Sequence, residues 1–216
     1  MGVQDFSKKG KMNQLIEDII LEMLLTYDKQ FYGFLLLRMT RILDERSPYV
    51  GMSPTLYTTI NNGKPELHYS QTFLEKLLQK ERLAVVEHEL LHLANGHFKR
   101  FEHTSKEEKQ IANIACDCAI NQHIKDLPLS GVTYEGLNTQ LKHLGLGDIE
   151  RLREAEYYFE LLTQSQKKNK LPSCGTLYID RKLTDLDHSI IEDMVKKASQ
   201  EAGTIPSPIE TYLAKL

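Results

Sequence analysis

The chain has 216 residues, 41% of them hydrophobic, and 27 basic against 30 acidic side chains give a net charge of −3. That composition can fill a core, so disorder is not the default state, and the length fits a single domain spanning 1–216. The charges are interspersed, with no basic field for nucleic acid, and apolar runs such as Phe34-Leu-Leu-Leu37 fall far short of the ~20 residues that span a bilayer.

Taken in chain order, the N-terminus lacks the apolar stretch of a secretory signal, and Phe6 stands where a myristoylation signal wants Ser or Thr. Met12, Leu15, Ile16, Ile19, Ile20, Met23 and Leu24 keep a helical period. Asp28 is placed to cap a second helix carrying Phe31, Phe34, Leu35, Ile42 and Leu43, ended before Ser47-Pro48. Thr55–Ile60 is rich in β-branched and aromatic residues, Asn61-Asn-Gly-Lys-Pro65 carries turn chemistry, and Glu66–Tyr69 alternates, which predicts a β-hairpin. Thr72-x-x-Glu75 offers a capping box for a helix with Phe73, Leu74, Leu77 and Leu78.

A helix over Arg82–Ala94 follows, with Gly96 where a left-handed residue ends it. Ser105-x-x-Glu108 opens another, running to about Lys125, and 127–147 reads as a loop with glycines at 131, 136, 145 and 147. Helices are expected over 148–163 and from about Asp185, the latter carrying Ile190, Ile191, Met194, Val195 and Ala198. Between them, Gln164–Lys170 reads as an exposed loop and Leu177-Tyr-Ile179 as a short strand. The tail 203–216, with Gly203 and Pro208, has the texture of a linker. The expected fold class is α+β, mostly helical, with a small hairpin or sheet ahead of the Arg82–Ala94 helix.

That helix carries the chemistry. In His88-Glu89-Leu90-Leu91-His92 the two histidines lie ~40° apart around the axis, one turn apart along it. Both imidazoles can therefore aim at one point, at the roughly 2 Å reach of a zinc ion. Glu89 flanks that point, where it can take a proton from water without being a ligand. Leu83, Val86, Leu90, Leu93 and Ala94 give the segment an apolar face. The plain alternative is an amphipathic helix whose histidines only make hydrogen bonds or face water.

Catalytic zinc uses three protein ligands, and His97, Asp117, His103 and His123 are candidates for the third. Asp117 sits in Ile111–Gln122, where Asn113, Asp117 and Asn121 form a polar stripe spaced by four on an otherwise apolar helix. His97 lies just past Gly96, where a reversing chain could return it to the metal. Asp117 and His97 are the two preferred positions, and the sequence leaves both open. Three cysteines give no disulfide framework, which points to a reducing, cytoplasmic setting. Cys116 and Cys118 diverge by ~200° on a helix and read as small buried hydrophobes.

Val86–His97, then Asn113-Ile-Ala-Cys-Asp-Cys-Ala-Ile-Asn121, then Leu127-Pro128 resemble a metallopeptidase domain family of bacteria and their phages, which often precedes a von Willebrand A-like domain. The resemblance runs best from Ser70 to Pro128, and more weakly over Ala155-Glu156 and Asp187-His188. It implies a zincin-like, zinc-dependent hydrolase, with His88, Glu89 and His92 carried over and His97, Asp117 and Asn121 as further motif positions. The tail would then be a linker to a neighbouring domain, a possible von Willebrand A-like partner.

The expected function is hydrolysis of a peptide or protein substrate, with Zn²⁺ as cofactor and Glu89 as general base; a zinc-stabilised, non-catalytic interaction module is the alternative. Tyr134, Tyr157 and His188 are candidate oxyanion donors by residue type alone. The loop Ser173-Cys174-Gly175 could in principle place a thiolate on the metal, although a plain loop is the simpler reading.

Overall fold

A computed structural model describes residues 6–46, 55–128, 132–143, 145, 147–166 and 183–215. Helix α1 (Phe6–Leu25) buries Ile16, Ile19, Ile20 and Met23, the stripe that the periodicity predicts. A 3-10 turn, Tyr27–Lys29, leads into α2 (Gln30–Leu37), whose Phe31, Leu35 and Leu36 are fully buried against it. Asp28 caps neither segment: Thr26 and Lys29 hold the two N-cap positions, and neither side chain makes a cap bond. The expected second helix also stops early. Ile42 and Leu43 belong to β1 (Thr40–Leu43).

The physical reason lies across the sheet. Strands β2 (Leu56–Asn61) and β3 (Lys64–Tyr69) form the expected antiparallel hairpin, and β1 pairs in parallel with the other side of β3. The order β1-β3-β2 makes β3 the central strand, and its buried backbone groups need partners on both sides. Asn62 (φ 48°) and Gly63 (φ 76°) both take the left-handed conformation of a type I′ turn, which sets the hairpin register. Asp187 Oδ1 would lie 3.0 Å from a Cβ at Gly63, so a later helix rests on this turn.

β2 is an edge strand. Ser70 N–H donates to Thr55 C=O, so odd-numbered residues of this arm pair with β3, while Leu56, Thr58 and Ile60 turn their backbone groups outward.

After the sheet, Ser70 rather than Thr72 caps the short α3 (Gln71–Glu75), accepting from Phe73 N–H. Thr72 N–H is bound instead by Glu45. Helix α4 (Gln79–Ala94) follows, and Gly96 (φ 62°) ends it in the left-handed conformation expected. The phenol of Tyr212 closes over Gly96 and leaves no room there for a Cβ. The turn-like α5 (His97–Arg100) leads to α6 (Lys106–Asn121), capped by the predicted Ser105–Glu108 box but ending four residues before Lys125.

The stretch 127–147 is not all loop, because α7 (Tyr134–His143) buries Tyr134, Leu137 and Leu141. Helix α8 (Ala155–Gln166) packs along α6 and starts at Ala155 rather than near residue 148; it also takes in Gln164–Gln166, and Ser165 there is buried. Residues 167–170, the Ser173–Gly175 loop and the strand expected at Leu177–Ile179 lie outside the described residues.

Helix α9 (Asp185–Glu201) opens with a Thr184–Asp187 capping box and packs on α2. The tail that reads as a linker carries α10 (Ser207–Leu213), with Ile209 fully buried. The architecture is α+β and mostly helical, with the three-stranded sheet ahead of α4. No described helix is long and apolar enough to cross a membrane.

Candidate metal centre

Helix α4 lies between β2 and α6. Leu83, Val86, Leu90, Leu93 and Ala94 are buried as the apolar stripe requires, which sets the rotation of the helix and turns His88 and His92 toward α6. From α6, Asp117 answers them. Its Oδ1 lies 3.1 Å from His92 Nε2 and 3.6 Å from His88 Nε2, and the two nitrogens are 3.2 Å apart.

Atoms held ~2.0–2.1 Å from a tetrahedral ion stand about 3.3 Å from one another, so these spacings fit a zinc-sized ion. Among the described residues, Asp117 Oδ1 is also buried without a hydrogen-bond partner. A buried carboxylate oxygen with nothing to accept from is costly unless a cation balances it. The donor set therefore fits a divalent metal.

The polar stripe on α6 holds this set in place. Asn121 Oδ1 accepts from His88 Nδ1–H at 2.7 Å, and Asn121 Nδ2 donates to Val132 C=O at 2.7 Å, which fixes the amide. With Nδ1 protonated, His88 presents the Nε2 lone pair to the cluster. Asn113 Nδ2 donates to the other carboxylate oxygen of Asp117 at 3.2 Å.

His97 lies on the opposite edge of His92, its Nδ1 3.1 Å from His92 Nδ1. It is 2% exposed, and burial holds its pKa well below the usual histidine range, so the ring is neutral and can accept from His92 Nδ1–H. His92 then turns its own lone pair at Nε2 toward Asp117. His103 points to Glu102 and is exposed, while His123 stands apart on a cavity wall; neither joins the cluster.

Glu89 is positioned by the edge strand. Thr58 N–H donates to its Oε2 at 3.0 Å, and Thr58 Oγ1 lies 3.3 Å from the same oxygen. Burial raises the Glu89 pKa, opposed by the charges of His88 and His92 and assisted by that of Asp117. Thr58 was not legible as a site residue. Only the outward backbone of β2 against α4 shows its role.

On the other side of α4, Glu87 is 4% exposed, ion-paired with Lys29 and hydrogen-bonded by Tyr32. Burial is the main reason its pKa is raised, with Lys29 pulling against it.

The candidate oxyanion donors are engaged elsewhere. Tyr134 Oη donates to Ile149 C=O at 2.6 Å, Tyr157 Oη accepts from Glu150 N–H at 2.9 Å, and His188 Nε2 lies 3.2 Å from Glu102. Cys116 and Cys118 are buried free thiols, as read from the sequence; burial pushes Cys118 up to about 12 and Cys116 well above its usual value. Sequence spacing between the cysteines did not reveal that Cys116 also lies beside His92 and His97, completing a second group able to hold a metal.

A helix bearing His-Glu-x-x-His beneath an edge strand, joined by a carboxylate from the next long helix, defines a metallopeptidase-like scaffold. The chain belongs to the family described as "Putative metallopeptidase domain", which its residues 23–204 match. No curated protein and no solved structure matches it.

Proposed function

We propose that this domain is a zinc metallopeptidase with His88, His92 and Asp117 as the metal-holding residues and Glu89 as general base. The observation that carries the reading is the convergence of His88, His92 and the unpartnered Asp117 Oδ1 beside a carboxylate held on an edge strand. Zinc bound there would act as a Lewis acid, polarising water and the scissile carbonyl.

The remaining roles belong to the chain. Glu89, oriented by Thr58 N–H, accepts a proton from the attacking water and returns it to the leaving amine. Asn121 and His97 fix the faces of His88 and His92, and Asn113 fixes Asp117. The outward backbone groups at Leu56 and Ile60 offer an extended peptide an added-strand position beside Glu89.

The test combines metal analysis with one substitution. Protein purified without chelators should hold about one zinc per chain, and His88→Ala and His92→Ala should lose it. Glu89→Gln should keep the zinc and the fold while hydrolysis across a peptide library falls about 10²–10⁴-fold. Wild-type protein that stays metal-free in added zinc, or an unchanged rate in Glu89→Gln, overturns the proposal.

A further inference from the structure

His92 shows its second nitrogen to a different set of ligands. His92 Nδ1 and His97 Nδ1 stand 3.1 Å apart, and His92, His97 and Cys116 each offer one ligand atom, the three lying within 4.8 Å of one another. All three residues are buried. The 3.1 Å spacing is close to the ~3.3 Å between two nitrogens on one tetrahedral ion. The chemistry also differs from the first cluster: two imidazoles and a thiol, with no carboxylate, favour a soft or borderline ion over a hard one.

His97 lines a cavity of about 200 Å³ together with Asn95, His123 and Tyr212, and none of His88, Glu89 or Asp117 lines it. The Nε2 of His97 makes no hydrogen bond among the described residues. Of the three proposed ligands His97 alone lines that cavity, on the α10 side.

We propose that His92 Nδ1, His97 Nδ1 and Cys116 Sγ form a second, buried position for a thiophilic ion, and that it competes with the first cluster for His92. On binding, the Cys116 S–H proton leaves to solvent as the sulfur–metal bond forms, the His92 proton moves from Nδ1 to Nε2, and no electron is transferred. A neutral imidazole has one lone pair. His92 can thus serve Nε2-side or Nδ1-side metal, and filling the inner position withdraws a ligand from the outer one. The inner position stands on His97 and Cys116, whichever residues hold the ion of the peptidase site.

Cadmium is a suitable probe, because a cadmium–thiolate bond has an ultraviolet charge-transfer band that nitrogen and oxygen ligands lack. Cd²⁺ titrated into the full metal-free chain should produce that band at one equivalent per chain. The band should survive in Cys118→Ala, Cys174→Ala and Asp117→Ala, and vanish in Cys116→Ala. His97→Gln, which keeps every thiol, should weaken Cd²⁺ by about 10-fold or more and guards against misfolding of Cys116→Ala. In zinc-loaded protein, growth of the band should release zinc.

A missing band in wild type, a band that persists in Cys116→Ala, or full zinc retention at full cadmium occupancy overturns the proposal. Zinc binding without a cadmium band sinks this inference alone, whereas a cadmium band in a chain that never takes zinc sinks the peptidase reading alone.

Discussion

Helix α4 carries two polar clusters, on its two sides, and they differ in how fully they are satisfied. Toward α2, Glu87 is buried, paired with Lys29 and bonded by Tyr32, so its charge is answered within the chain. Toward α6, the groups around Asp117 Oδ1 converge on a point, and that oxygen accepts no hydrogen bond from the described residues. A closed cluster ties elements together; an open one, equally well supported by Asn113 and Asn121, is built for something the chain does not supply. The contrast separates a carboxylate answered within the chain from one left open on the other side of the same helix, where sequence shows merely Glu87, His88 and Glu89 in a row.

The sharpest way to break the comparison is Lys29→Ala. It leaves Glu87 buried without its cation and should cost about 3 kcal/mol, seen as a lower denaturant midpoint, while zinc stoichiometry in the folded protein stays at that of wild type. An unchanged midpoint would mean that Glu87 is not held by Lys29. On the opposite side, Asn121→Ala frees the His88 ring and should weaken zinc by about 10–100-fold in a chelator competition, with little change in metal-free stability. Equal zinc affinity would remove Asn121 from the support of the site.

Acidity sharpens the same difference. The folded-state pKa of His97 lies well below its ordinary 6.5, so between those values the unfolded chain binds a proton that the folded chain refuses. Its contribution to stability is fully present above pH 6.5 and is lost as pH falls toward the folded-state pKa. In metal-free protein this one site adds a slope of at most about 1.4 kcal/mol per pH unit, measurable by denaturation at pH 6.5 and below, and His97→Gln should flatten it.

The smallest effect is the most diagnostic. Asp117→Ala in metal-free protein gives up one hydrogen bond, from Asn113, and should change stability by no more than about 1.5 kcal/mol, yet it should remove tight zinc binding. A loss of stability as large as that of Lys29→Ala would show Asp117 to be structural. Zinc affinity that falls more in His97→Ala than in Asp117→Ala would exchange their roles.

Much of the fold was legible where a local signal had no competitor. The stripe of α1, the Asn-Gly turn, Gly96 and the Ser105–Glu108 box each act through short-range geometry, and each took the form its residues dictate. Misreadings fell where long-range partners decide. Ile42 and Leu43 continue a helical pattern after α2, but the free side of β3 draws them into β1. Thr72-x-x-Glu75 satisfies the capping pattern, yet Ser70, itself bonded to Glu45, takes the cap. In 127–147 the glycines mask α7, whose Leu137 and Leu141 are helical only because they have a core to enter.

For the site, the sequence by itself determined the pair His88 and His92 on one helix face, with Glu89 beside them, because a 3.6-residue period places them there whatever surrounds the helix. It also determined that Asn113, Asp117 and Asn121 share one stripe. Only the tertiary structure decided that this stripe faces His88 and His92, that His97 meets the far nitrogen of His92, and that Thr58 holds Glu89. These contacts join residues from different elements, and their distances follow from how α4, α6 and β2 pack, which local periodicity does not encode.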